Sequence, residues 1–247
     1  MLETFTSAAI WAALGNIILV NIVLSGDNAV VIAMAARGLR GRQQKLAIIW
    51  GSAAAIALRV VLTIFAVELL NYPYLKIVGA LLLVYIGIQL LAEGDGDGDE
   101  DSLVEHTMLW AAVRTILVAD LVMSLDNVIG VAAAAKGNKM LLIIGLAISI
   151  PLIVFGSTIM LKLMSRFPII IKLGGALLGY LAGDMLVTDP AIAGWVATTI
   201  PHHDFEIISG HVEISWPGVV GAIIVIIGGK LFASRAAAKA EPGLAKD

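Results

Sequence analysis

Two short runs hold the polar groups that could do chemistry: Ser25-Gly26-Asp27-Asn28 and Ser124-Leu125-Asp126-Asn127. Each sets a hydroxyl, a carboxylate and a carboxamide inside a long apolar stretch. Every donor offered is an oxygen, and backbone carbonyls join the set wherever a helix opens. Oxygen-only sets suit hard divalent cations such as Mg²⁺, Ca²⁺ and Mn²⁺ better than Zn²⁺ or Cu⁺. Helical spacing orders the groups further. Asn21, Ser25 and Asn28 fall at i, i+4 and i+7 on one face, and Asp120, Ser124 and Asn127 repeat that face. Asp27 and Asp126 stand one step round from it. A carboxylate inside a membrane span costs a few kcal/mol or more, on the order of the insertion scales, so it needs a partner, a cation or water.

The elements that must position these groups are membrane spans. Of 247 residues 60% are hydrophobic and 14% charged, with a mean hydropathy of +0.97. A soluble domain needs more polar surface than that. Crossing the hydrocarbon takes about 20 apolar residues. Seven stretches qualify: 8–36, 46–70, 75–92, 109–135, 140–164, 168–188 and 217–234. Trp11, Trp50, Tyr72, Tyr74, Trp110, Trp195 and Trp216 lie near their ends, as an interfacial belt would. The first run lacks a positive flank and reads as a retained helix, not a signal peptide.

The sequence repeats itself. Residues 21–38, NIVLSGDNAVVIAMAARG, match 120–137, DLVMSLDNVIGVAAAAKG, at an offset of 99. A second block, KIVGALLLVYIG at 76–87, matches KLGGALLGYLAG at 172–183. Three spans per unit would invert the second unit relative to the first, as in many secondary transporters. The expected fold is thus an all-α membrane protein of seven transmembrane helices: two inverted three-helix repeats, 1–92 and 108–188, and one C-terminal helix, 217–234. Residues 93–107 form an acidic linker, 189–216 an outer loop and 235–247 a tail. Asp95, Asp97, Asp99 and Asp101 alternate as an EF-hand loop begins, but Glu100 and His106 stand at its sixth and twelfth positions, so a solvated linker is expected.

Arg37, Arg40, Arg42 and Lys45, then Lys162, Arg166 and Lys172, then Lys230, Arg235, Lys239 and Lys246 fall on one side of this arrangement. The positive-inside rule makes that side cytoplasmic and puts the N-terminus outside, in a cell membrane. Asp184 is a further buried carboxylate whose repeat mate is Ile88. Arg59 and Arg114 are expected to be structural counter-charges within the spans. His202, His203, Asp204 and His211 read as a polar outer loop with no fixed ligand geometry. The net charge of −3 and the lack of a basic tract argue against a nucleic-acid partner. With no cysteine, no phosphate-binding Gly-rich loop and no nucleophile–base pair, neither an enzyme nor an ATP-driven pump is expected, and no organic cofactor.

SGDNAVVIAMAARG at 25–38 and SLDNVIGVAAAAKG at 124–137 resemble the paired Asp-Asn motifs of TerC-family integral membrane proteins. The likeness covers residues 8–234 and is nearest to short bacterial members of the YjbE type, within the wider LysE-like transporter group. The resemblance implies export of Mn²⁺ as substrate, supply of metal to secreted enzymes, or tellurium-compound resistance. It implies Asp27, Asn28, Asp126 and Asn127 as metal donors, with Asp120 and Asp184 as helpers. Because Asn21 stands where the second half has Asp120, the two half-sites are unequal. Three readings follow: a divalent-metal exporter, a non-transporting membrane partner in a metal or tellurium stress complex, and a LysE-like exporter of small organic solutes. The expected partners are the divalent ion and the lipid bilayer; a homo-oligomer stays open.

Overall fold

The computed structural model describes residues 15, 18, 19, 26–65, 69, 72–92, 102–135, 139–199, 204–208 and 212–240. Eight helices are present among the described residues: α1 (Gly26–Ala36), α2 (Gly41–Ile64), α3 (Leu75–Ala92), α4 (Ser102–Ala135), α5 (Lys139–Arg166), α6 (Ile169–Val187), α7 (Ala193–Thr199) and α8 (Trp216–Ala240). An antiparallel pair, β1 (Asp204–Ile208) and β2 (Val212–Ser215), precedes α8.

The expectation of seven spanning helices is corrected here. Six of the described helices, α2, α3, α4, α5, α6 and α8, are long and apolar enough to cross a membrane. Within the first expected span, 8–36, the described helix is α1, and its 11 residues rise only about 16 Å, half the hydrocarbon thickness. At the other extreme α4 has 34 residues, and its apolar window is Thr107–Leu125. It takes in Ser102–Thr107 of the stretch read as acidic linker, of which 93–101 lie outside the described residues. The helix α8 likewise runs on to Ala240, into the stretch read as tail.

Two compact units divide the chain, and neither is a sequential half. The first joins 1–72 with 99–165, and the second joins 73–98 with 166–247. In the first, α1, α2, α4 and α5 share a core of Ile32, Ala36, Ile48, Ile56, Ile116 and Leu146, with Ile153 beside them. Gly51 lets α2 close on α4, since a methyl there would sit 2.7 Å from Ile116 Cδ1. Between α1 and α2 the chain turns at Gly41, whose φ of +54° is the left-handed region that glycine adopts without strain. Pro151 lies inside α5, where it removes one N–H from the helix ladder, and the helix runs on through it. Ser149 and Ser157 each donate their hydroxyl to a carbonyl one turn earlier, so those buried oxygens are satisfied within the helix.

The second unit is a three-helix packing of α3, α6 and α8. Small residues permit it, as they do in membrane interfaces where lipid is as apolar as leucine. A methyl at Gly179 would run into the carbonyl oxygen of Gly221, and one at Gly183 into that of Pro217. Gly175 admits Leu91, and Gly228 admits Ile88. Pro217 lies in the first turn of α8, where a missing N–H costs nothing. Tyr180 Oη accepts the N–H of Ser215 at 3.0 Å, tying the end of β2 to α6. Large apolar residues such as Tyr85, Phe155 and Phe232 stand exposed along the spans, as a lipid-facing surface requires.

Candidate functional site

The buried polar groups of the first unit fall into a closed set and an open set. The closed set centres on Arg59, on the last turn but one of α2 and only 1% exposed. Its Nη2–H donates to Asp120 Oδ1 at 2.5 Å and its Nε–H to Ser124 Oγ at 2.9 Å. Ser124 Oγ–H donates in turn to Asp120 Oδ2 at 3.2 Å. Asp120 and Ser124 lie one turn apart on α4, so a single guanidinium edge meets both. A buried carboxylate without such a partner would be strongly destabilising. The expectation that Arg59 serves as a counter-charge is met at Asp120, while Arg114 on the same helix is exposed.

The open set starts at α1. Asp27 is half-buried, and its Oδ1 accepts the backbone N–H of Asn28 at 2.8 Å. Its helix, α1, packs against both α2 and α4, which carry Arg59 and Asp120. Asn28 is 2% exposed, and among the described residues neither its Oδ1 nor its Nδ2 has a hydrogen-bond partner. Ser52, on α2 and 1% exposed, also has an unpartnered hydroxyl. Leaving a buried polar group unsatisfied costs about 1–3 kcal/mol, so such groups call for an explanation.

On α4, Asn127 is half-buried two turns beyond Asp120. The backbone of Asp126 is helical, and its side chain lies outside the described residues, as do Asn21, Ser25, His202, His203 and His211. Asp184 is half-buried on α6 in the second unit. Among the described residues no three Asp, Glu or His side chains converge as a metal cluster. A cation held by the described groups would therefore need carboxamide, hydroxyl or backbone oxygens beside Asp27. That donor set fits a hard cation and not a thiophilic one.

Sequence reasoning missed two residues. Ser52 sits in a run of small residues that gives no hint of function. Asp189, with no exposed surface, lies just past α6 and receives four backbone N–H groups. Oδ1 accepts from Tyr74 at 2.9 Å and Ala191 at 2.7 Å; Oδ2 accepts from Lys76 at 3.0 Å and Ile77 at 3.2 Å. It caps the start of α3 from a position 115 residues away in sequence. The capped donors are those that a helix start leaves without partners. Burial alone would raise the pKa of Asp189, but the N–H groups of Ala191, Tyr74, Ile77 and Lys76 outweigh it and hold the carboxyl below its ordinary value.

Comparison with known proteins agrees with the Asp-Asn motifs. The family described as "Integral membrane protein TerC family" matches residues 6–241. The chain is 44% identical over 188 residues to "Uncharacterized membrane protein YjbE" of Bacillus subtilis (strain 168), covering 74% of this chain and 85% of that protein. Two further proteins of that organism are more distant. "Uncharacterized membrane protein YceF" is 26% identical over 188 residues, covering 73% of this chain and 72% of its own length. "Uncharacterized membrane protein YkoY" is 24% identical over 255 residues, covering 90% and 74%. No solved structure matches the chain significantly. The match spans all six described membrane helices and both Asp-Asn motifs, and it is to a family of membrane proteins, not of enzymes. The chain belongs to the TerC family of integral membrane proteins, and YjbE is a near relative.

Proposed function

We propose that the chain is a secondary transporter that carries a divalent metal ion, Mn²⁺ foremost, out of the cytoplasm. Asp27 supplies the charge and Asn28 a neutral oxygen. Asp126 and Asn127 of the matching motif complete the shell, and Asp184 acts as a helper elsewhere on the path. The observation that carries this reading is the amide of Asn28, sealed from solvent next to Asp27, with both polar atoms unpartnered among the described residues. A side chain kept only for packing would be apolar there; a side chain kept to meet a transient ligand has reason to stay unsatisfied between visits. Mn²⁺ accepts the oxygen donors on offer, and the choice of Mn²⁺ over Mg²⁺ or Ca²⁺ rests on the family resemblance.

The Lys and Arg residues near the α1–α2 turn and the end of α8 support a cytoplasmic location for both. The acidic residues of 93–101 would then enrich cations near the inner mouth, an effect screened over about 8 Å at physiological salt. The test is uptake of Mn²⁺, Ca²⁺ and Mg²⁺ into inverted membrane vesicles carrying the protein. Accumulation of one of these ions above control vesicles is expected. Equal uptake for all three, at the control level, would refute metal export and favour a non-transporting partner.

A further inference from the structure

Asp120 is a helper to the metal donors by family resemblance, yet both of its oxygens are engaged inside the protein. The engagement is costly. Burying an ion pair gains little over packing an apolar pair of the same volume, and inside a bilayer the cost is greater. Such a pair calls for a reason beyond stability, and its surroundings supply one. Asp27 opens α1, the helix that packs against the two helices carrying the pair. Ser52 lies two turns from Arg59 on the same face of α2, with its hydroxyl unpartnered. The amide of Asn28 is unpartnered on α1, which packs against both α2 and α4. A satisfied cation and oxygen donors unsatisfied among the described residues thus share one packed unit.

Charge counting gives the consequence. Asp27 and Asp120 bring two negative charges besides that of Asp126 in the proposed shell, and Arg59 returns one positive. A divalent ion meeting all three carboxylates bare in a low-dielectric site would be held too tightly to leave. With Asp120 claimed by a standing cation, it binds with less to gain. Transport needs that compromise, since an ion must be bound well enough to enter and weakly enough to leave. Ligand charge count is also how calcium sites set their affinities over orders of magnitude.

We propose that Arg59 is a built-in counter-cation that claims Asp120, keeps it out of the substrate's shell and weakens the Asp27–Asn28 site enough for a divalent ion to be released. The inference rests on the proposed metal transport and makes Arg59 a positioning and affinity-setting residue. It differs from a structural salt bridge in one measurable way, because the two partners should shift ion affinity in opposite directions. Arg59→Gln frees the Asp120 carboxylate for the ion. Asp120→Asn leaves an unpaired guanidinium that competes for Asp27.

The experiment titrates Mn²⁺ alone into the purified full-length protein in nanodiscs, by calorimetry and by the electron paramagnetic resonance of bound Mn²⁺. Arg59→Gln should bind about tenfold tighter, Asp120→Asn about tenfold weaker, and the double variant within about threefold of the parent. In transport, Arg59→Gln should lower KM and kcat together. If Arg59→Gln binds no tighter than the parent, the inference is wrong. If the double variant stays as weak as Asp120→Asn, Asp120 is itself a ligand, and the inference is again wrong. Should Arg59→Gln fail to fold, the double variant decides alone, because it leaves no buried charge unpaired. A parent that binds Mn²⁺ with the wrong variant pattern retracts this inference only; a parent that binds no divalent ion retracts the proposed transport with it.

Discussion

Replacing Asp189 with Asn should weaken the second unit by an amount that its hydrogen bonds allow one to work out. The carboxylate takes two backbone N–H groups on each oxygen, at distances between 2.7 and 3.2 Å. An Asn can keep one oxygen and its two donors. Its NH₂ must then face the other two N–H groups, which lose their acceptor without access to water. Each orphaned donor costs about 1–3 kcal/mol, so the loss is about 2–6 kcal/mol. Thermal unfolding of the detergent-solubilised protein, followed by tryptophan fluorescence, reads the effect. The same residue predicts an acid limb. Its folded pKa lies below the ordinary value of about 3.9, so its stabilisation is complete above that value and is lost as pH falls through the lower folded one. Asp189→Asn should lack that limb. A variant that unfolds at the parent's temperature with the same acid limb would show that the four N–H contacts contribute nothing.

Other outcomes follow from the same physics. Asn28→Leu should leave thermal stability unchanged or raise it by about 1 kcal/mol, since it removes an unsatisfied amide, while Mn²⁺ binding falls; a large loss of stability would mean the amide is structural. Gly183→Leu should prevent α6 and α8 from packing and sharply lower the yield of folded protein, because even a methyl would meet the Pro217 carbonyl; normal yield would contradict the packing. Cysteine introduced by Gln43→Cys or Ser234→Cys into this cysteine-free chain should react with impermeant maleimide only from the cytoplasmic side; labelling from outside would reverse the proposed orientation.

How much of this could be read from the sequence varied with the kind of interaction. Arg59 was legible because a charge deep in an apolar run must find an opposite charge, and Asp120 was within the same set of spans. The Asp-Asn motifs were legible because polar residues in register twice stand out against Ala, Val and Ile. Asp189 was not legible. A polar residue at the end of a span is ordinary, and its partners are backbone N–H groups that leave no trace in residue identity. The hairpin was missed although its signal is present: alternating residues at 204–208 and 212–215 flank Ser209-Gly210, a turn pair. The compact units follow packing of small residues between α3, α6 and α8, which cuts across the order of the repeats.

The central claim is that Asp27 holds a divalent ion in transit. Mn²⁺ flux into proteoliposomes, measured for the parent and for Asp27→Asn at equal protein content and after matched thermal-unfolding controls, tests it most directly. The amide keeps the shape of the side chain and lowers the cost of burying it, so folding and insertion should be intact. Flux is expected in the parent, and about one-tenth of that or less in Asp27→Asn. Equal Mn²⁺ flux in the two would contradict it and leave Asp27 a structural group.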